Sequence, residues 1–245
     1  MLAFREKHEA KRKLEKVAQT GSASYAPSLH LQLIALDADL KKLKSFARRQ
    51  DKITHKRDVL LPKWQPIVNE YLAQVNSGEK PYDNPLFARC IIWLFDIADF
   101  GRALELAFKA IELGQPMAPG IRREWPSFIS DTVFDWSETQ AEYGRSVEPY
   151  FSQVFNQVVH HWKLAEPITA KFYKFKGLSL LRGTTGEVKP SSIGDADLLQ
   201  QADSFLEKAA SLYKNAGVKT VRNQIDMRLR ALEAYGSQET GQEIP

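Results

Sequence analysis

The chain has 245 residues, a formal charge of +4, 43% hydrophobic and 26% charged residues, the make-up of an ordinary soluble protein able to bury a substantial core. Its single cysteine, Cys90, excludes an intramolecular disulfide and a cysteine zinc cluster and fits a reducing compartment. No run approaches the ~18 apolar residues of a membrane span, and residues 1–19 lack the apolar stretch of a signal peptide.

The charge is unevenly spread. Through Lys63 there are 15 lysines and arginines against 7 aspartates and glutamates, and beyond it 19 against 23. A basic first quarter suits a polyanion partner, although a solvated helix surface would look the same. Residues 2–19 read as a charged helical arm with few large apolar positions, Phe4, Leu14 and Val17 among them, too few to dock strongly, so ordering on a partner is expected. Lys11, Arg12 and Lys13 are its densest cations. Residues 21–27 are a linker by composition, and Ser28 is expected to cap the next helix.

In that helix Leu29, Leu33, Leu36, Leu40 and Leu43 make a short heptad seam. Lys41, Lys42, Lys44, Arg48, Arg49, Lys52, Lys56 and Arg57 follow as the seam decays. The seam is shorter than the three to four heptads that specify a coiled coil. Packing inside the monomer and pairing with a second helix both stay open. The run Leu60-Leu61-Pro62-Lys63-Trp64 is expected to break the helix, with Pro62 or Pro66 in the first turn of the next.

Residues 76–85 are a Gly/Pro/Asn-rich loop. A helical hairpin follows, turning at Asp99-Phe100-Gly101. Ala103, Leu104, Ala107, Ala110 and Ile111 lie on one face of its second helix, which Gly114 ends. Residues 115–120 contain two prolines and cannot continue the helix. They lead to Arg122-Arg123 beside Trp125 and Pro126, a pair suited to phosphate, to a partner's carboxylate, or to an internal bridge with Asp131 or Asp135. Further helices are expected over 127–159, interrupted at Gly144 and Pro149, and over 168–181, 198–213 and 218–235, with a polar, disordered tail at 236–245.

An imperfect internal repeat joins residues 99–113 to residues 202–209. Both follow the second-helix pattern of a tetratricopeptide repeat, but about a hundred residues separate them instead of the ~34 of a regular array. No alternating β-branched run appears. The expected fold is all-α: a multi-helix bundle with tetratricopeptide-like hairpins and a basic helical N-terminal part. The expected domains are 1–27 (arm and linker), 28–76 (DNA binding and oligomerisation), 84–165 (central helices) and 166–235 (repeat-like helices).

Signals for chemistry are weak. Asp96 with Asp99, and Asp131 with Asp135, could each share a helix face, yet a two-metal nuclease needs several carboxylates around cations ~4 Å apart. His160 and His161 are adjacent, and so point apart on a helix instead of chelating. There is no GxxxxGK[ST] phosphate loop, so the chain is not the ATPase of a packaging motor. Cys90 sits in an apolar helix without an activating base. No catalytic residue, metal site or cofactor is expected.

Three blocks carry a family likeness: residues 58–64 (DVLLPKW), 91–114 (IIWLFDIADFGRALELAFKAIELG) and 117–128 (MAPGIRREWPSF). Together, and collinear over roughly residues 29–235, they resemble the small terminase subunit of P2-like tailed bacteriophages. The resemblance implies a non-enzymatic subunit of the host cell cytoplasm. It would assemble into a homo-oligomeric ring, recognise double-stranded viral DNA, and present it to the large terminase subunit for cutting and packaging. The DNA-binding candidates are Lys11, Arg12, Lys13, Lys41, Lys42, Lys44, Arg48, Arg49, Lys52, Lys56 and Arg57, with Arg122 and Arg123 contacting DNA or a partner. The family has also been labelled an endonuclease subunit, which would instead require Asp96, Asp99, Asp131 and Asp135 to hold metal. A repeat-type scaffold that binds protein and no DNA is the third reading.

Overall fold

The computed structural model describes the backbone of residues 25–240 and the side chains of residues 29–235. No strand occurs among the described residues, only an isolated antiparallel bridge between Arg182 and Val188. The fold is all-α, as expected. The chain forms two compact units divided between Ile121 and Arg122, inside the stretch 84–165 that the sequence groups together. The loop before the division belongs with the first unit: Ala118 is fully buried and the Pro119 carbonyl accepts from Arg89 at 2.8 Å.

The first unit begins with α1 (Tyr25–Ser45). The expected start at Ser28 is too late, because Pro27 sits in the first turn, where a missing N–H costs nothing. The leucine seam packs inside the unit: Leu36 and Leu43 are buried, and Leu29, Leu33 and Leu40 half-buried. The helix stops at residues 46–48, well before the expected break at 60–64. Helix α2 (Arg49–His55) runs through a π-helical turn (Lys56–Leu60) into α3 (Leu61–Asn76) without leaving helical space. The prolines explain the wide turn. Pro62 has no N–H to return to the preceding turn, and the Leu61 N–H reaches five residues back to the Lys56 carbonyl, the spacing of a π-turn.

Helix α4 (Pro85–Asp96) is apolar on nearly every side and is accordingly buried along most of its length. Asn84 starts it, its side chain accepting from the Leu86 and Phe87 amides at 3.1 Å each, with Pro85 at the first helical position. Trp64, Val68 and Tyr71 of α3 lie in the same core. Helix α5 (Phe100–Glu112) buries Phe100, Ala103, Leu104, Ala107 and Ala110. Asp99 caps it, and the turn is made by Ala98 at φ 61°. Phe100 and Gly101 are therefore helical, and the turn, at residues 97–99, falls two residues earlier than expected. Gly114, at φ 65°, closes α5.

The second unit comprises α6 (Trp125–Glu142), α7 (Tyr150–His160), α8 (Glu166–Leu180), a 3-10 turn (Pro190–Ser192), α9 (Ala196–Leu212) and α10 (Lys219–Thr240). The backbone of α10 runs on into the tail expected to be unstructured. An aromatic cluster joins α6, α7 and α8: Phe151 lies 4.6 Å from Phe175 and 5.6 Å from Phe172, and Phe134 lies 5.2 Å from Phe172, between ring centroids. Leu181, Leu199, Ala202, Leu206, Ala209, Val218 and Ile225 form a second core.

Helices α8 and α9 approach closely because Gly177 faces Ala202 and Leu206. A Cβ at residue 177 would lie 2.9 Å from the Ala202 carbonyl oxygen and 2.9 Å from Leu206 Cγ. Gly177→Ala forces the pair apart and outweighs the helix propensity that alanine adds. The expected cost is about 1–3 kcal/mol, read as a lower urea midpoint at unchanged m-value.

Candidate nucleic-acid interface

The basic residues of the first unit gather where α1 ends and α2 begins. Lys42 and Lys44 lie in the last turn of α1, where the helix dipole favours cations. Arg48 flanks α2 and Arg49 is its first residue. Lys52 follows one turn later. Lys42, Lys44, Arg48 and Arg49 are exposed and Lys52 is half-buried. None of the five makes an ion pair among the described residues. Phe46 packs on the buried His55 with ring centroids 5.0 Å apart, so the linker between α1 and α2 is held against α2.

The other expected contacts are already engaged within the unit. Lys41 pairs with Asp37 at 2.7 Å, one helical turn back, and that carboxylate raises its pKa. Arg57 pairs with Asp58 at 3.0 Å. Lys56 is mostly buried and reaches Asp96 at 2.6 Å. Lys11, Arg12 and Lys13 lie outside the described residues. Lys63, outside the expected set, orients the corner. Its Nζ and Trp64 Nε1 both donate to Asp39, at 2.7 and 2.8 Å, fastening α1 to α3. The sequence signal was Lys63-Trp64 opposite Asp39 of α1, visible only once the helices are paired.

In the second unit Arg123 donates to Asp131 at 2.9 Å, and Lys171 reaches the other oxygen of that carboxylate at 3.2 Å. The internal bridge is thus what Arg123 does in this structure. Arg122 is exposed and forms no ion pair among the described residues.

Three of the four carboxylates that a metal would require have other partners. Asp96 holds Lys56 and lies close enough to Arg89 to offset part of the burial that lowers that guanidinium's pKa. Asp99 caps α5 and pairs with Arg102 at 3.5 Å. Asp131 is shared by two cations, and Asp135 is exposed on α6. Among the described residues no group of three His, Cys, Asp or Glu side chains could hold a metal ion. Burial pushes the Cys90 thiol up to about 12, which keeps it protonated and unreactive. Asp96→Asn removes the counter-ion of a largely buried lysine, so stability is expected to fall by about 1–3 kcal/mol. A urea titration followed by tryptophan fluorescence measures the loss.

The comparison with known proteins decides the family. A family model described as phage small terminase subunit matches residues 33–167, more than half of the chain. The chain belongs to the phage small terminase subunit family. The probable terminase, endonuclease subunit of Haemophilus phage HP1 (strain HP1c1) is 43% identical over 218 residues, spanning 89% of this chain and 76% of that protein. The terminase, endonuclease subunit of Escherichia phage P2 is 28% identical over 218 residues, spanning 87% and 81%. No solved structure matches. The family match takes in most of α1, the basic corner and the α4–α5 hairpin of this terminase small subunit. It also takes in the arginine pair. No helix among the described residues is long and apolar enough to cross a membrane.

Proposed function

We propose that this small terminase subunit binds double-stranded viral DNA in the host cytoplasm through the α1–α2 corner, self-associates, and presents the DNA to the large terminase subunit. The observation that carries the reading is the cluster of five cations without carboxylate partners, Lys42, Lys44, Arg48, Arg49 and Lys52. Elsewhere in the same helices Lys41, Lys56, Arg57 and Lys63 are each neutralised by an aspartate. Cations left without counter-ions on adjoining helix ends attract a polyanion, and each phosphate they neutralise releases condensed counter-ions. Exposed Leu31 and Ile34, at 66% and 56%, supply an apolar face on α1 for a second copy. Arg122 is a further candidate for DNA or partner contact.

The two relatives are named endonuclease subunits, which keeps a nuclease reading in view for this chain. The engagement of Asp96, Asp99 and Asp131 by cations favours a DNA-binding role, with cutting left to the large subunit. A gel assay on phage-type duplex DNA over a salt series, with and without Mg²⁺, separates the readings. A salt-sensitive shift with intact DNA supports recognition. Mg²⁺-dependent nicking lost in the Asp96/Asp99 or Asp131/Asp135 double variants would replace it with the enzyme. No shift at low salt would favour a scaffold.

A further inference from the structure

The second unit contains a cavity of about 340 Å³ lined by α6, α8 and the α9–α10 connection. Its walls are apolar at Phe134, Phe175 and Leu178, and its charge is lopsided. Lys171, Lys174 and Arg182 line it against a single carboxylate, Glu138. Lys171 is spoken for by Asp131 at 3.2 Å. Lys174 and Arg182 are different. Lys174 donates to the Ala216 carbonyl at 2.8 Å and Arg182 Nη1 to the Gly186 carbonyl at 2.6 Å. Neutral acceptors hold both side chains in place, and neither has a carboxylate partner among the described residues. Arg182 Nε is buried with no hydrogen-bond partner. Two positioned cations, one with a spare buried donor, flank an apolar floor.

We infer that this cavity is a docking site for an acidic, apolar-centred peptide segment of a protein partner. The spacing sets the motif. Lys174 and Arg182 are eight residues apart along α8 and its end, roughly 12 Å at the helical rise. An extended chain covers that distance in about four residues, and residues i, i+2 and i+4 point to one side. The segment therefore reads acid–x–apolar–x–acid, with the apolar side chain over Phe175 and Leu178. The volume lies at the lower end of ligand sites and admits an extended chain's side chains but not a helix about 10 Å across. A bare phosphate would leave the apolar floor unused. This surface is separate from the basic corner, and the inference does not rest on DNA binding.

The test uses the full chain and three fluorescein-labelled probes followed by polarisation: the peptide Glu-Ser-Leu-Ser-Glu, its Gln-Ser-Leu-Ser-Gln analogue, and the oligonucleotide dT8. The acidic peptide is expected to bind saturably below about 1 mM and the neutral one at least roughly tenfold more weakly. Lys174→Gln keeps a donor for the Ala216 carbonyl but loses the charge, and should weaken the acidic peptide roughly fivefold. Glu138→Gln, on a side chain without an ion pair among the described residues, should tighten it roughly threefold, a gain that misfolding cannot imitate. Equal binding of both peptides overturns the inference, as does no binding. Binding that neither variant changes also overturns it. Tighter binding of dT8, lost in Lys174→Gln, would overturn it in favour of nucleic acid.

Discussion

Replacing Lys42, Lys44, Arg48, Arg49 and Lys52 together by glutamine is expected to weaken duplex DNA binding by up to roughly 4.5 decades at 0.1 M salt. If each of the five neutralises one phosphate, the counter-ion term loses about 0.9 per contact in the slope of log K against log salt, roughly 4.5 in all. That same slope change, extrapolated from 1 M to 0.1 M salt, is the loss in affinity. Both quantities come from one fluorescence-anisotropy titration over a salt series. Three exposed cations of the second unit, Lys208, Lys214 and Lys219, provide the control, and their neutralisation should leave the slope within about one unit. Lys41 and Arg57, already paired with Asp37 and Asp58, should each contribute less than an unpaired residue, because DNA must first displace a carboxylate. An unchanged slope in the quintuple variant would remove the corner as the interface.

A second large effect is expected where the end of α6 meets the connection between α8 and α9, residues 181–195. Gly144 has φ 64°, and a Cβ there would lie 2.0 Å from the Thr184 carbonyl oxygen. Gly186 has φ 83°, and its Cβ would lie 2.5 Å from the carbonyl oxygens of both Ala141 and Glu142. The neighbours are backbone atoms, so no rotamer change relieves either overlap. Gly186→Ala is expected to cost about 1–2 kcal/mol for the left-handed backbone and about 1–3 kcal/mol more for overlap. Gly217→Ala separates these contributions. Gly217 has φ 69°, and its nearest neighbour to a Cβ is the end of Lys174 at 3.5 Å, so only the backbone cost of about 1–2 kcal/mol applies. Urea midpoints for the two variants measure the difference. Equal losses would mean that the α8–α9 connection moves away freely.

The stacked aromatics of the second unit and the buried α4 of the first show why the helices were readable from the chain itself. The hairpin of α4 and α5 is written locally. Asn84-Pro85, Asp99 and Gly114 are cap residues whose preferences come from their own side chains and backbone, and the 3.6-residue apolar spacing of α5 needs no partner to be seen. The interruption near Gly144 and Pro149 was visible for the same reason. The break at residues 46–48 was not, because Phe46-Ala47-Arg48 contains neither glycine nor proline. The prolines that do occur, Pro62 and Pro66, are absorbed by a π-turn and a helix interior instead of ending the helix.

The candidate interface divides along the same line. Composition alone placed the basic charge in the first quarter of the chain and set its sign, and local periodicity made the protein all-α. Which of those cations keep an unneutralised charge was only partly local: Lys41 and Arg57 find Asp37 and Asp58 within a turn, whereas the other pairings were a tertiary matter. Lys56 meets Asp96 across 40 residues of sequence and Lys63 meets Asp39 across 24, and nothing in local spacing announces such pairs. The clasp of Gly144 and Gly186, the closeness of α8 and α9 at Gly177, and the pairing of Lys174 and Arg182 with neutral carbonyls were likewise decided by packing. Helix propensity and capping act within a few residues. Ion pairing and close backbone approach depend on distances that exist only after the helices have docked.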